Sequence, residues 1–237
     1  MRSRFAFVLA FCLASSPAIA DCPDLSLVLA IDSSSSIDPG EYALQTLGYA
    51  AAFRSQSVKR ALASTGVVDV AVVYWADADF AFQTLPWVRI TSPQNADALA
   101  AMILASPRLV SGDTDIGNGL ARAFEMLASH SRCSIRSIVN VSGDGQESGS
   151  PKRRARALLA VVRGRADELG VIVNALAIEN EDPGLAQYYR DNLIAGPGAF
   201  VMQVRDFTDF GAAIEQKLVR EISLTVTSSL APPNRPY

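Results

Sequence analysis

Acidic and hydroxyl side chains follow the first apolar segment of the chain at a spacing that suits a metal ion. Residues 25–31 are almost entirely apolar, which is typical of a strand buried on both faces of a parallel sheet. Asp32, Ser34 and Ser36 follow at alternate positions, at the strand end where open α/β sheets bind ligands. Such hard oxygen donors suit a small cation such as Mg²⁺. A serine-rich turn also suits the N-terminal cap of a following helix, so this pattern alone leaves both interpretations open.

Two later polar turns offer further oxygen ligands. Thr114 lies in the polar segment 111–115, directly before an amphipathic helix predicted over residues 116–130. Asp144 follows a strand predicted over residues 134–141, and the glycines on either side of it allow a tight turn. If all three turns meet at one edge of a sheet, they supply two carboxylates and three hydroxyls.

Several other polar residues are interpreted without a role in a site. Asp77 and Asp79 lie in a short turn between two predicted strands, and we expect both to be solvated. His130 is the single histidine and stands at a helix end, so it is not assigned as a metal ligand or base. Asn140 begins a glycosylation sequon, but it lies inside a strand that should be buried. The many arginines in a helix predicted over residues 151–169 are interpreted as a solvated face.

Strand and helix patterns alternate along the chain without a linker. Strands are predicted over residues 25–31, 67–74, 80–90, 134–141, 171–178 and 200–204, and helices over 41–54, 93–106, 116–130, 151–169, 182–192 and 207–218. The third strand follows the second through a short turn and should pair with it antiparallel. This order predicts a three-layer, doubly wound α/β fold, with a mostly parallel sheet, one antiparallel edge strand and helices on both faces.

Residues 1–20 are predicted to be a secretory signal peptide. Two arginines precede an apolar run, and residues 18–20 form an Ala-Ile-Ala cleavage site. Cleavage removes both arginines and moves the net charge from −3 to −5, which gives no reason to expect a nucleic-acid partner. No other apolar stretch is long enough to span a bilayer. We expect an exported protein, periplasmic or secreted, with a domain over residues 21–223 and a disordered tail over residues 224–237.

Cys22 and Cys133 remain after the predicted cleavage. Cys22 lies ten residues before Asp32, and Cys133 lies eleven residues before Asp144. If the strands that follow the two cysteines are parallel neighbours, both cysteines lie at the same end of the sheet. We therefore expect a disulfide between them in an exported protein, with two free buried thiols as the alternative.

The three turns together resemble a known family. Asp-x-Ser-x-Ser after the first strand, a Thr that opens a later helix and an Asp-Gly after the fourth strand resemble the metal-ion-dependent adhesion site of von Willebrand factor A (vWA) domains. For this chain, the resemblance implies hydroxyl ligands at Ser34, Ser36 and Thr114. It also implies carboxylates that bind the metal directly or through water at Asp32 and Asp144.

The resemblance covers essentially the whole mature chain, residues 21–223. Ser-Gly-Asp-Gly at 142–145 and the Tyr-Tyr-Arg segment at 188–200 look like a secreted bacterial subfamily with no settled activity. The family's strand order places the first strand beside the fourth. Ser35 departs from the family pattern, which often has Gly there, and the departure implies an altered loop and a weaker site.

Three functions from different classes are compatible with these residues. The resemblance implies a monomeric, non-enzymatic binding module, whose Mg²⁺ (alternatively Mn²⁺ or Ca²⁺) captures an Asp or Glu carboxylate of a protein partner. A phosphohydrolase with Asp32 as nucleophile is the second, although such enzymes look for another aspartate where this chain has Ser34. A periplasmic small-molecule carrier is the third, for which the chain looks too short to form two lobes.

Overall fold

A computed structural model describes residues 22–79, 81–130, 133–148 and 157–223 of the chain. The strands in these residues are β1 (Leu25–Asp32), β2 (Val68–Trp75), β3 (Gln83–Ile90), β4 (Arg136–Gly143), β5 (Val171–Ile178) and β6 (Val201–Val204). They form one sheet in the order β3-β2-β1-β4-β5-β6. Neighbouring strands are parallel except β2 and β3, so the antiparallel strand stands at an edge. The predicted fold class is confirmed, and so is the adjacency of the first and fourth strands.

Helices cover both faces of this sheet. In the described residues they are α1 (Pro39–Arg54), α2 (Gln56–Thr65), α3 (Pro93–Leu104), α4 (Ile116–His130), α5 (Leu159–Leu169), α6 (Leu185–Asn192) and α7 (Phe210–Ser223). Side chains alternate between faces along a strand. Leu27 and Leu29 of β1 therefore pack with α1, α2, α3 and α7, whereas Val28 and Ala30 pack with α4, α5 and α6.

The first helix begins with a capping box that does not involve the preceding serines. The Asp38 carboxylate accepts a hydrogen bond from Glu41 N at 2.8 Å, and the Glu41 carboxylate accepts one from Asp38 N at 2.8 Å. Pro39 follows at the first helical position, where its missing N–H costs nothing. Asp38 is therefore the cap of α1, and the serine-rich turn is not needed for that purpose.

Helix bounds differ from the sequence prediction by up to five residues in α1, α3, α6 and α7, and two further helices differ by more. The helix predicted over residues 151–169 begins at Leu159 in the described part, while residues 151–156 lie outside it. Ala157 is not helical, and its N–H donates to the Asn118 side chain of α4 at 2.9 Å. The second difference is α2, which the sequence analysis did not predict; the Ser55 side chain caps it by accepting a hydrogen bond from a backbone N–H.

The chain ends and the cysteines complete the fold. The predicted signal peptide (residues 1–20) and tail (residues 224–237) lie outside the described residues. Within the described residues, no helix combines the length and apolar character needed to cross a membrane. Cys22 and Cys133 form the disulfide that was expected, with their Cα atoms 5.3 Å apart. It links the segments before β1 and β4, at the opposite end of these strands from the polar turns.

Candidate metal centre

The first and third polar turns are in direct contact at the carboxyl ends of two central strands. Asp32 is the last residue of β1, and Asp144 follows β4, its parallel neighbour. Ser36 donates a hydrogen bond from Oγ to Asp144 Oδ1 at 2.7 Å. Ser34 Oγ lies 3.1 Å from Ser36 Oγ. The side-chain oxygens of Ser34, Ser36 and Asp144, three of the five predicted ligands, are therefore linked in a short chain of contacts.

The second turn is fastened to the third. Thr114 donates from its backbone N–H to Ser148 Oγ at 3.0 Å, and its carbonyl accepts from Ser148 N at 2.9 Å. A Cβ placed on Gly145 would lie 3.3 Å from Thr114 Oγ1, which locates this hydroxyl beside the third turn. Thr114 is itself buried, so its hydroxyl belongs to the interior of the turn cluster. The structure thus brings all five predicted residues to one edge of the sheet.

Each of the two carboxylates has one oxygen atom with no hydrogen-bond donor. Asp32 Oδ1 accepts from Ser34 N at 2.7 Å, but Asp32 Oδ2 and Asp144 Oδ2 are buried and unpartnered within the described residues. Burial and then repulsion from Asp144 raise the pKa of Asp32, and burial raises the pKa of Asp144. Burying unpaired carboxylates is costly. A cation between these oxygens would remove that cost.

The donor atoms fit a hard divalent cation. The turns offer carboxylate and hydroxyl oxygens, and these are the ligands that Mg²⁺ and Ca²⁺ take in proteins. Among the described residues, no three His, Cys, Asp or Glu side chains are grouped to hold a metal. The centre would therefore depend on its hydroxyls as well as its two acids. A cation held by few protein ligands keeps coordination positions for water or for a partner's oxygen.

Tyr189 of α6 lies against the centre, and the sequence analysis did not identify it. Its hydroxyl donates to the carbonyl of Gly145 at 3.0 Å. A Cβ on Gly143 would come within 2.8 Å of both Tyr189 Oη and Asp32 Oδ2, so only glycine fits there. Burial, with help from Asp32 and Asp144, raises the pKa of Tyr189 well above its ordinary value and keeps the hydroxyl a donor. The only sequence feature that included Tyr189 was the Tyr-Tyr-Arg segment, which did not indicate a role at the centre.

Arg108 is a second residue that the sequence analysis missed. Its Nη2 donates to the carbonyls of Ser33 at 2.9 Å and Ser34 at 2.7 Å. The guanidinium therefore binds the backbone of the first turn and forms no ion pair with Asp32 or Asp144. Nothing in the spacing of Arg108, far along the chain from these serines, predicted this contact.

Asp77 is buried, so the expectation that it is solvated is wrong. The residue is 9% exposed, and its Oδ1 accepts from Asp79 N at 2.9 Å. Its Cβ lies 2.6 Å from the position that a Cβ on Gly112 would take, and Gly112 has a φ of +111°, which favours glycine. This close approach of two distant turns shields Asp77 from water. Asp79 is exposed, as expected.

His130 ends α4, as predicted, and lies far from the centre. Its Nε2 is 2.8 Å from Asp69 Oδ2, and its ring stacks on Trp87 with centroids 3.9 Å apart. Arg89 also binds Asp69, from Nε at 2.9 Å and from Nη2 at 3.0 Å. Asp69 is near the start of β2, whereas the other end of β2 pairs with Asp32. This cluster therefore lies at the opposite end of the strands from the metal centre.

The fold and the arrangement of its turns are those of a vWA domain. The pilus adhesin SpaC from Lactobacillus rhamnosus GG is 13% identical with a TM-score of 0.62, over 86% of this chain and 31% of the adhesin chain. Proximal thread matrix protein 1 from the mussel byssus, solved with a zinc-occupied MIDAS motif, is 19% identical with a TM-score of 0.59, over 86% and 48%. The vWF domain of the type V pili tip protein Mfa5 from Porphyromonas gingivalis is 12% identical with a TM-score of 0.55, over 87% and 98%.

The family of the chain is more specific than its fold. The chain belongs to the family described as "Protein of unknown function (DUF1194)", whose model matches residues 21–226. No curated protein matches the sequence. The chain spans about a third of the SpaC chain and about half of the byssus protein. At these identities the solved structures show a shared fold, and function has to be argued from the site.

Proposed function

We propose that this protein is an exported, metal-dependent protein-binding module without catalytic activity. Asp32, Ser34, Ser36, Thr114 and Asp144 hold a divalent cation, Mg²⁺ in the first place and Mn²⁺ or Ca²⁺ as alternatives. The cation keeps a coordination position that an Asp or Glu carboxylate of a partner protein fills. The cation supplies charge and an open position, while the chain's own residues hold it at the sheet edge.

One observation carries the proposal. Asp32 Oδ2 and Asp144 Oδ2 are buried at the same sheet edge, and neither has a donor within the described residues. Chains rarely leave two such atoms unpaired, because an uncompensated buried charge typically costs several kcal/mol. Within the described residues, neither aspartate forms an ion pair, and Arg108 directs its hydrogen bonds to backbone carbonyls. An external cation satisfies both oxygens.

The solved structures with this fold support the proposal of a metal-dependent binding module. The byssus protein carries zinc in its MIDAS motif, and two of the other proteins are a pilus adhesin and a pilus tip protein. The Cys22–Cys133 disulfide supports export, because disulfides persist in oxidising compartments.

The metal is tested by calorimetric titration of Mg²⁺, Mn²⁺ and Ca²⁺ into chelator-stripped protein. We expect saturable one-site binding, which Asp32→Asn abolishes because it removes a charged ligand without changing side-chain size. Asp38→Asn is the matched control: it makes the same change on the same turn, and asparagine still caps α1. Absence of binding by the unaltered protein, or equal binding by Asp32→Asn, would contradict the metal centre.

The partner is tested by capture from the native envelope and culture medium. We expect capture in Mg²⁺, release by chelator and no capture by Asp32→Asn, with Asp38→Asn behaving like the unaltered protein. An excess of free acetate should compete, because it offers the cation the same carboxylate. Capture that is equal in chelator and in Mg²⁺ would show that the partner does not bind through the metal.

A further inference from the structure

The first turn and the segment before Thr114 are joined by four hydrogen bonds. Ser35 N donates to Gly112 O at 2.8 Å, and Gly112 N donates to Ser35 Oγ at 3.0 Å. Arg108 adds two bonds to the carbonyls of Ser33 and Ser34, at 2.9 and 2.7 Å. These bonds use none of the side-chain oxygen atoms that are proposed as metal ligands.

Ser35 is the position at which this chain departs from the vWA pattern. Among the described residues, no non-glycine residue has a positive φ, so the backbone at Ser35 does not require glycine. Its hydroxyl, moreover, accepts a bond that glycine could not make. The departure therefore adds a contact between two turns, where the resemblance implied a distorted loop and a weaker site.

We propose that Ser35 and Arg108 are positioning residues that clasp the first turn onto the segment before Thr114. The clasp holds Ser34 and Ser36 in place relative to Thr114 before a cation arrives. The inference rests on the proposed function, since it concerns how the same centre reaches its affinity. Ligands that are already ordered lose less conformational entropy when they bind, so the cation is held more tightly.

The position of Gly112 explains how one clasp reaches both turns. Gly112 is two residues before Thr114, and Ser35 lies between Ser34 and Ser36. A bond between Gly112 and Ser35 therefore connects residues that lie one or two positions from proposed ligands in both turns. The third turn has its own fastening to the second, through Ser148, so the clasp completes a closed set of connections.

The clasp is tested first through metal affinity. Calorimetry with Mn²⁺ should show about two- to tenfold weaker binding by Ser35→Ala, the usual effect of one lost hydrogen bond. Ser35→Gly should weaken binding similarly, although the vWA pattern favours glycine there. Ser35→Thr keeps the hydroxyl and should restore the affinity. Ser111→Ala is the control, because it removes a hydroxyl of the same segment that takes no part in the clasp.

Arg108→Met provides a second arm with a different chemistry. It removes the bonds to the two carbonyls, and it also removes a positive charge that repels the cation. The charge effect is screened by salt, with a Debye length of about 3 Å at 1 M ionic strength. Titration at low and high salt therefore separates the two effects, and at high salt we expect weaker Mn²⁺ binding than in the unaltered protein.

Amide hydrogen exchange in excess chelator measures how well the clasp protects the Gly112 amide when no metal is bound. In Ser35→Ala the Gly112 amide should exchange several-fold faster, while amides of the β1 strand keep their protection. In Ser35→Thr the Gly112 amide should stay protected. A global loss of stability would instead raise exchange in β1 as well, so this comparison distinguishes a local clasp from general unfolding.

The outcomes are separable from those of the proposed function. If the unaltered protein binds no cation, the proposed function fails and the inference fails with it. If it binds while Ser35→Ala and Ser35→Gly bind equally well or tighter, the clasp alone is overturned. A loss of affinity that Ser35→Thr does not restore would also overturn it. Weaker binding together with faster Gly112 exchange, both restored by Ser35→Thr, supports it.

Discussion

Two sets of buried carboxylates in this protein are equally hidden from water but differ in how they are paired. Asp32 and Glu221 are both 0% exposed. Asp32 Oδ2 has no donor in the described part of the chain, as is true of Asp144 Oδ2. Glu221 of α7, in contrast, accepts hydrogen bonds at both of its oxygen atoms.

The Glu221 cluster, formed by Glu221, Lys217, Asn140 and Asn174, is complete without any ligand. Glu221 Oε1 accepts from Lys217 Nζ at 2.6 Å and from Asn174 Nδ2 at 3.0 Å. Glu221 Oε2 accepts from Asn140 Nδ2 at 2.6 Å. The asparagines lie in β4 and β5, so the cluster ties α7 to the centre of the sheet. The sequon asparagine is therefore buried, as predicted, and has a structural role.

The contrast separates a structural acid from a ligand-binding acid by the donors around it. Burial is the same in both regions, and so it cannot distinguish them. In the Glu221 cluster the chain supplies an ammonium and two amides, whereas at Asp32 and Asp144 the described residues form no ion pair and leave one oxygen atom of each carboxylate without a donor. A buried acid whose own chain does not neutralise it indicates that something from solution does.

The largest effect is expected from breaking the paired region. Glu221→Ala leaves the Lys217 ammonium and two asparagine amides buried without an acceptor, and should cost about 3–5 kcal/mol of unfolding free energy. Denaturant unfolding in excess chelator measures this loss. Glu125→Ala, which removes a largely exposed carboxylate from α4, should cost less than about 1 kcal/mol. Equal losses of unfolding free energy in the two variants would show that the Glu221 cluster contributes no more to stability than an exposed carboxylate.

At the metal centre, removing a carboxylate charge should leave the stability of the metal-free protein unchanged or increase it. Asp32→Asn keeps the acceptor for Ser34 N but removes a charge that is unpaired when no metal is bound. In chelator, the variant should be as stable as the unaltered protein or more stable by on the order of 1 kcal/mol, in line with the raised pKa of Asp32. Chemical denaturation with Asp38→Asn as control tests this. A clear loss of stability in chelator would show that Asp32 has a structural role.

A smaller effect is expected at Asp69, an acid paired near the surface. Burial alone would raise the pKa of Asp69, but hydrogen bonds from Arg89 and His130 outweigh burial and lower it. The ionised form therefore stabilises the fold above the unfolded-state pKa of about 3.9, and this stability is lost as the pH falls through the lower folded-state pKa.

Unfolding curves at several pH values test this pH dependence. The unaltered protein should exceed Asp69→Asn by on the order of 1 kcal/mol near pH 7, and the difference should vanish well below about pH 4. Metal affinity should be the same in both proteins, because Asp69 lies in the other half of the sheet. A difference in stability that stays constant down to acidic pH would contradict the pairing of Asp69 with Arg89 and His130.

Features that depend on short-range pattern were predictable. The strand over 171–178 was predicted with its observed bounds, since an apolar run between polar turns reports a buried strand directly. The first and third polar turns could be placed together because carboxyl ends of parallel strands meet at one edge. Thr114, which opens a helix, was joined to them through the resemblance to vWA domains. Asp32, Ser34 and Ser36 share one turn, so their spacing alone placed them near each other.

Helix limits were less predictable where the pattern is weak. α2 buries only Val58, Ala61 and Leu62, and it follows α1 after the single residue Ser55. These three side chains stand at helical spacing and reach the shared core, but three apolar positions in a short, mostly polar segment were too few to predict a helix from the sequence. Just before α5, the Ala157 N–H is bonded to the side chain of Asn118, a contact across 39 residues that the sequence does not reveal.

The apolar and polar order along the chain was therefore enough for the fold class, which follows from local periodicity, and the motifs shared with vWA domains implied the five candidate ligands. Only the folded chain decided which polar groups are paired. Lys217 and Glu221 stand four residues apart, a spacing that usually marks a solvated ion pair on a helix surface, yet packing against Asn140 and Asn174 buries them. Pairing depends on contacts between segments far apart in sequence, which no local pattern contains.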